Sequence, residues 1–130
     1  MSPTILVQRL LPAAQMPRYA HAGAYGDLAA DLFAAEAAVL APVGEAGSTQ
    51  AVRTGLAVRG ITTLAGVIDP GYRGELKIVL TNLTSEPQMV APGHRIAQLR
   101  IVERIQATFE ETDMLAEAPR GVAGFGSTGT

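Results

Sequence analysis

The stretch AGVIDPGYRGELK, Ala65 to Lys77, places one carboxylate, Asp69, at the end of an apolar run and directly before Pro70-Gly71. Pro-Gly suits the middle of a type II turn, in which proline presets φ and glycine supplies a positive φ. With Val67 and Ile68 anchoring a strand end in the core, such a turn holds Asp69 at the lip of a sheet. A carboxylate fixed there can orient a water and take its proton as a general base. The same residue can equally cap the turn through an Asx hydrogen bond, a common use of Asp beside Pro-Gly. Tyr72 and Arg73 follow at once, a ring and a guanidinium on the same turn.

Three further stretches carry groups of chemical interest. The C-terminal RGVAGFGSTG offers close-packed backbone N–H groups, the hydroxyls of Ser127 and Thr128, the Arg120 guanidinium and the Phe125 ring. Amides and arginine suit phosphates, and a ring suits a base. A terminal Gly/Ser/Thr stretch is also what a plain flexible end looks like. It is not a P-loop, because no Gly-Lys-Ser/Thr follows. PGHRIAQL, Pro92 to Leu99, reads as a turn and a strand, with His94 a turn residue and Gln98 a neutral polar group among apolar neighbours. Asp27 and Asp31 are four residues apart. On a helix they would share a face, as a cation site needs, and Asp27 could instead cap that helix.

Composition narrows the classes of function. The 130 residues make one domain with enough chain to bury a core, and 48% hydrophobic content excludes a disordered chain. Formal net charge is −2, from 10 Lys and Arg against 12 Asp and Glu, which argues against a general nucleic-acid binder. An anionic ligand must therefore be held by a few placed groups. With no cysteine there is no disulfide framework, thiolate metal site or Cys nucleophile. With two histidines, His21 and His94, a multi-histidine metal site is not expected. The opening MSPTILVQRLLP lacks the basic-then-apolar pattern of a signal peptide, and no apolar run is long enough to span a bilayer. The expected compartment is the cytoplasm, with no membrane partner.

The elements that position these groups read as β. Thr4 to Leu10 is a β-branched and apolar run stopped by Pro12, a strand pattern. Asp27 to Leu40 is alanine-rich and helical by propensity, but Asp31, Leu32 and Phe33 equally fit a short strand. Val43 to Ser48 is a loop, and Ala51 to Val58 a strand. Glu75 to Leu83 is the clearest strand, with Leu76, Ile78 and Leu80 on one face. Asn82 to Pro87 turns, Met89-Val90 begins a short strand, Pro92-Gly93 turns again, and Arg95 to Arg104 returns as a strand. Thr108 to Glu111 fits one more. Short strands broken by Gly and Pro predict an all-β sandwich, jelly roll or barrel over residues 1–117, followed by a flexible Gly-rich arm over 118–130.

Taken together, these segments resemble the trimeric dUTPase family, the deoxyuridine triphosphate nucleotidohydrolases. AGVIDPGYRGELK is similar to that family's central motif, GDLAADLFA to its first, PGHRIAQL to its fourth and RGVAGFGSTG to its fifth. The resemblance implies a jelly-roll β domain, a homotrimer with active sites shared between subunits, and Mg²⁺. It implies hydrolysis of dUTP to dUMP and pyrophosphate, which clears the nucleotide pool of dUTP and supplies dUMP for dTMP synthesis. On that resemblance Asp69 activates the water that attacks the α-phosphorus, and Tyr72 packs against the deoxyribose, leaving no room for a 2′-hydroxyl. Backbone groups around Val67 and Ile68 read the uracil edge or hold the 3′-hydroxyl. Asp31 holds Mg²⁺ through water. Gln98 approaches the phosphates, and Lys77 is counted among the substrate-binding residues. Arg120, Phe125, Gly126, Ser127 and Thr128 close over the nucleotide, Phe125 on uracil and Arg120 on the γ-phosphate.

The chain departs from the family pattern at its second motif, Arg-Ser-Gly-Leu-Ala, whose Ser and Gly contact phosphates. Only one such segment exists, Val52-Arg53-Thr54-Gly55-Leu56-Ala57-Val58. It reads as the second motif with Thr54 in place of Ser, Arg53 and Gly55 keeping their places. It reads equally as the strand that precedes that motif. Either way, the stretch from Asp31 to Gly66 is shorter than the family's by roughly a strand and a turn. The competing function is therefore a nucleotide-binding, catalytically impaired trimeric relative. A dCTP deaminase, which shares the fold, would need a catalytic Glu in a local motif that is absent. Removing the chain from Arg120 onward is expected to leave the fold unchanged and to cut kcat/KM for dUTP severely. Circular dichroism and pyrophosphate release check this, and undiminished activity would mark the tail as an ordinary chain end.

Overall fold

A computed structural model describes residues 2–52, 61–64, 66–119 and 121–122. Among them there are seven strands and no helix: β1 Ala30–Phe33, β2 Ala38–Leu40, β3 Thr49–Val52, β4 Ile61–Thr63, β5 Ile78–Asn82, β6 Gln88–Val90 and β7 Arg95–Leu99. All pairings are antiparallel: β1 with β7, β2 with β6, and β5 between β3 and β4. The all-β expectation is met, and among the described residues no helix is long and apolar enough to cross a membrane.

Side-chain alternation explains how these short strands make one core. In β2 and β6, Leu40 and Val90 point inward, while their neighbours Val39 and Met89 face each other across the ladder on the exposed side. In β5, Ile78 and Leu80 are buried, and Leu76 packs against the same cluster from just before the strand. Leu32 from β1 and Ile96 from β7 complete it. Strands of all three sheets thus contribute to a single apolar centre. β1 settles the open choice over Asp27 to Leu40 in favour of strands. Its four residues are all buried, and pairing with β7 outweighs the helical propensity of the alanines.

The turn after β5 is organised by one fully buried amide. Asn82 donates to the carbonyls of Leu40 at 3.1 Å, Ala41 at 3.0 Å and Glu86 at 2.7 Å. Its Oδ1 accepts from the Thr84 backbone N–H at 2.9 Å and the Thr84 hydroxyl at 2.7 Å. One side chain therefore ties the end of β2 to the β5–β6 turn, with its donors and acceptor all used. The β6–β7 turn is of the Pro-Gly kind: Gly93 has φ +84°, and the His94 N–H donates to the Ala91 carbonyl at 3.1 Å.

Several expected strands are absent or shorter. Thr4 to Leu10 is not a strand, and Ile5, Leu6, Val7 and Leu10 are exposed. The run has β composition but forms no ladder with any described segment, and a strand needs a ladder partner. The same holds for Thr108 to Glu111, where Phe109 is exposed, and for the stretch beyond Leu99. β5 starts at Ile78, not Glu75. Of Ala51 to Val58, residues 51 and 52 belong to β3, and 53–58 lie outside the described residues. Asn82→Ala is expected to cost about 2–4 kcal/mol, because it leaves buried carbonyls unpaired. Thermal unfolding checks this as a fall in Tm of several degrees.

Candidate active site

Opposite β1 and β7, the loop from Gly66 to Lys77 and strand β4 enclose a cleft of about 680 Å³. Every described residue predicted for the site lines it: Asp31 and Gln98 from the β1–β7 ladder, and Val67, Ile68, Asp69, Tyr72 and Lys77 from the loop. Arg53, Thr54, Gly55, Arg120, Phe125, Gly126, Ser127 and Thr128 lie outside the described residues.

The β1–β7 wall is built around one buried carboxylate. Asp31 is 7% exposed and sits opposite Gln98 in the ladder. Gln98 Nε2 donates to Asp31 Oδ1 at 3.2 Å, and Arg95 Nη1 donates to Oδ2 at 3.3 Å. The Asp31 backbone exchanges two hydrogen bonds with Arg18, at 2.7 and 3.1 Å, and the Arg18 guanidinium lies 5.3 Å from the centre of the Phe33 ring. A carboxylate this enclosed is tolerable only when charged and polar groups replace its water. Arg95 was not among the sequence candidates. Its signal was its place as the sole cation of PGHRIAQL, three residues before Gln98.

The opposite wall is a tightly bonded turn. The Tyr72 N–H donates to the Asp69 carbonyl at 3.0 Å, and Arg73 Nη1 donates to the carbonyls of Pro70 and Tyr72 at 3.1 and 3.0 Å. The Tyr72 hydroxyl donates to the Glu75 carbonyl at 2.7 Å, and Lys77 Nζ lies 3.7 Å from Glu75 Oε2. The turn forms as expected at Pro70-Gly71, but it is not type II, since Gly71 does not have a positive φ. Nor do Val67 and Ile68 anchor a strand end in the core. Both are exposed, and the segment is not a strand. Asp69 is exposed, and its carboxylate accepts no hydrogen bond from any described residue, so it does not make the Asx cap. It is left open to the cleft.

His94 serves the β6–β7 turn, its Nδ1 accepting from the Ala91 N–H at 3.3 Å. Asp27 and Asp31 share neither a helix face nor a ligand site. Among the described residues, no group of three or more His, Asp or Glu could hold a metal ion. Asp27 instead closes the loop back to His21, accepting from its backbone N–H at 2.8 Å and contacting Nδ1 at 3.1 Å.

An open cleft with a carboxylate on each wall can hold a small polar molecule. The fold is that of a solved phage enzyme. A variant of the Staphylococcus bacteriophage 80alpha dUTPase with dUpNHpp superposes with a TM-score of 0.77 at 22% identity, over 99% of this chain and 100% of the other. The dUTPase family model matches residues 32–129. A deoxyuridine 5′-triphosphate nucleotidohydrolase of Thermobifida fusca is 40% identical over 146 residues, covering 95% of this chain and 77% of the relative. One of Beijerinckia indica is 42% identical over 147 residues, covering 98% and 92%. The chain belongs to the dUTPase family. The 147 aligned positions exceed this chain's 130 residues by 17, so the relative carries at least that many residues without a counterpart here.

The His21 bonds, the backbone N–H first and then the ring, hold the Asp27 carboxyl below the usual carboxylate range. A folded-state pKa lowered in this way stabilises the fold above the unfolded pKa and ceases to do so as pH falls through the folded value. Asp27→Ala is therefore expected to melt below the parent at pH 7, with the gap closing in strong acid. Melting curves across the acid range check this.

Proposed function

We propose that this chain hydrolyses dUTP to dUMP and pyrophosphate. The observation that carries the reading is the open Asp69 carboxylate, which faces a cleft whose other wall holds Asp31 between Arg95 and Gln98. Family membership at about 40% identity supports the same substrate and does not favour the catalytically impaired alternative.

Asp69 takes a proton from a water, and the resulting nucleophile attacks the α-phosphorus. The bond from that phosphorus to its bridging oxygen breaks, and pyrophosphate leaves with the electron pair. Such a reaction needs positioning and neutralisation of charge. Gln98 and the exposed Arg95 guanidinium face the phosphates, with Lys77 as a further cation on the opposite wall. Tyr72 packs against the deoxyribose, and backbone groups at Val67 and Ile68 meet the uracil edge or the 3′-hydroxyl. Arg53, Thr54 and Gly55 add phosphate contacts, and the tail from Arg120 to Thr128 covers the nucleotide.

Magnesium fits this donor set in one way. A lone carboxylate cannot cage the ion, but Mg²⁺ keeps much of its water and takes its other ligands from phosphate oxygens. Each Asp31 oxygen accepts one side-chain hydrogen bond and keeps a lone pair for a metal-bound water. When bound, the ion neutralises charge on the triphosphate.

The working form is a homotrimer in the cytoplasm, with sites shared between subunits. The exposed apolar residues along both extended ends, among them Leu6, Ile105, Phe109 and Leu115, support an assembly that covers them.

Asp69→Asn is expected to lower kcat by roughly 10²–10⁴-fold while leaving binding of a non-hydrolysable dUTP analogue nearly intact, since Asn keeps the shape and cannot take the proton. Pyrophosphate release and calorimetric titration check the two halves. A variant with most of the parent's turnover would remove Asp69 from the role of base.

A further inference from the structure

Tyr72 does not reach freely into the cleft. Its ring folds back over the chain two residues on, with the hydroxyl bonded to the Glu75 carbonyl at 2.7 Å. The space beneath it is free because residue 74 is glycine. A Cβ on Gly74 would lie 2.5 Å from Tyr72 Oη, 2.7 Å from Cζ and 3.0 Å from Cε2.

We propose that Gly74 is a positioning residue that seats the Tyr72 ring in the cleft and thereby sets the preference for a deoxyribose over a ribose; this rests on the reading of Tyr72 as the sugar-facing ring. Gly74 does not occupy the left-handed region, so the backbone strain of that region does not bar alanine there. The three atoms nearest to that Cβ all belong to the Tyr72 side chain. The backbone beneath the ring resists moving, because Tyr72 N–H is bonded to Asp69 and Arg73 to Pro70 and Tyr72. A tyrosine ring has only χ1 and χ2 with which to retreat. A methyl group at position 74 therefore breaks the bond to Glu75 and swings the ring into or away from the cleft it lines. By contrast, a Cβ on Gly71 in the same turn would meet nothing within 4 Å, so glycine at position 74 is not a general demand of the turn.

The test is calorimetric binding of dUpNHpp and of its ribonucleotide counterpart, with magnesium chloride, to the full chain and to Gly74→Ala, Tyr72→Ala and the double variant. The parent is expected to prefer the deoxyribonucleotide. Gly74→Ala is expected to reduce that preference by at least roughly tenfold, and to change nothing further once Tyr72 is alanine. A Gly74→Ala protein with the parent's preference, or with an effect that persists in the Tyr72→Ala background, overturns the role of Gly74 alone. A parent that binds both analogues alike, or a Tyr72→Ala protein that keeps the preference, overturns the sugar-facing reading and the proposal with it. If Gly74→Ala does not fold, a folded double variant supports the contact and an unfolded one overturns it.

Discussion

The cleft depends on a carboxylate that the fold can bury only by pairing it. Asp31 lies in β1, every residue of which is buried, and its charge would be untenable there without Gln98 and Arg95 across the ladder. The requirement runs in both directions. The β1–β7 register places Gln98 opposite Asp31, and the pairing in turn gives that register a reason to be kept, since a slip of one residue would turn Asp31 away from its partners. The same ladder delivers Leu32 and Ile96 to the core. One strand pair thus supplies both apolar packing and the polar wall of the cleft.

The second wall uses a different physical device. No strand holds Asp69; a turn does, closed by backbone bonds and by the Arg73 guanidinium folding onto two carbonyls. The apolar residues before it, Val67 and Ile68, are exposed to the cleft instead of anchored beneath it. A rigid turn with an unbonded carboxylate suits a group that must accept a proton.

Much of this was legible in the residues. The alternation of Leu76, Ile78 and Leu80 marked β5, and Pro92-Gly93 marked a turn, in which Gly93 has a positive φ. Asp31, Asp69, Tyr72 and Gln98, whose site roles the resemblance to the dUTPase motifs implies, meet in one cleft. What was not legible depended on contacts distant in sequence. Arg95 and Asp31 are 64 residues apart, and nothing local announces their pairing. The alanines around Asp31 favour a helix, and only the ladder with β7 makes them a strand. Thr4 to Leu10 has the composition of a strand, yet composition cannot supply a partner. Pro70-Gly71 shows the limit of turn chemistry read locally: Pro-Gly permits type II without compelling it, and the bonds around Arg73 accompany a different turn.

The claim that unites these walls is that a chain shorter than its relatives still assembles a working dUTP site. Pyrophosphate release by the unmodified chain measures it directly, with magnesium and with dUTP, UTP, dCTP and dTTP supplied separately at equal concentration. The account predicts turnover of dUTP and far slower release from the other three. No release from dUTP, or release from UTP at a comparable rate, would contradict it.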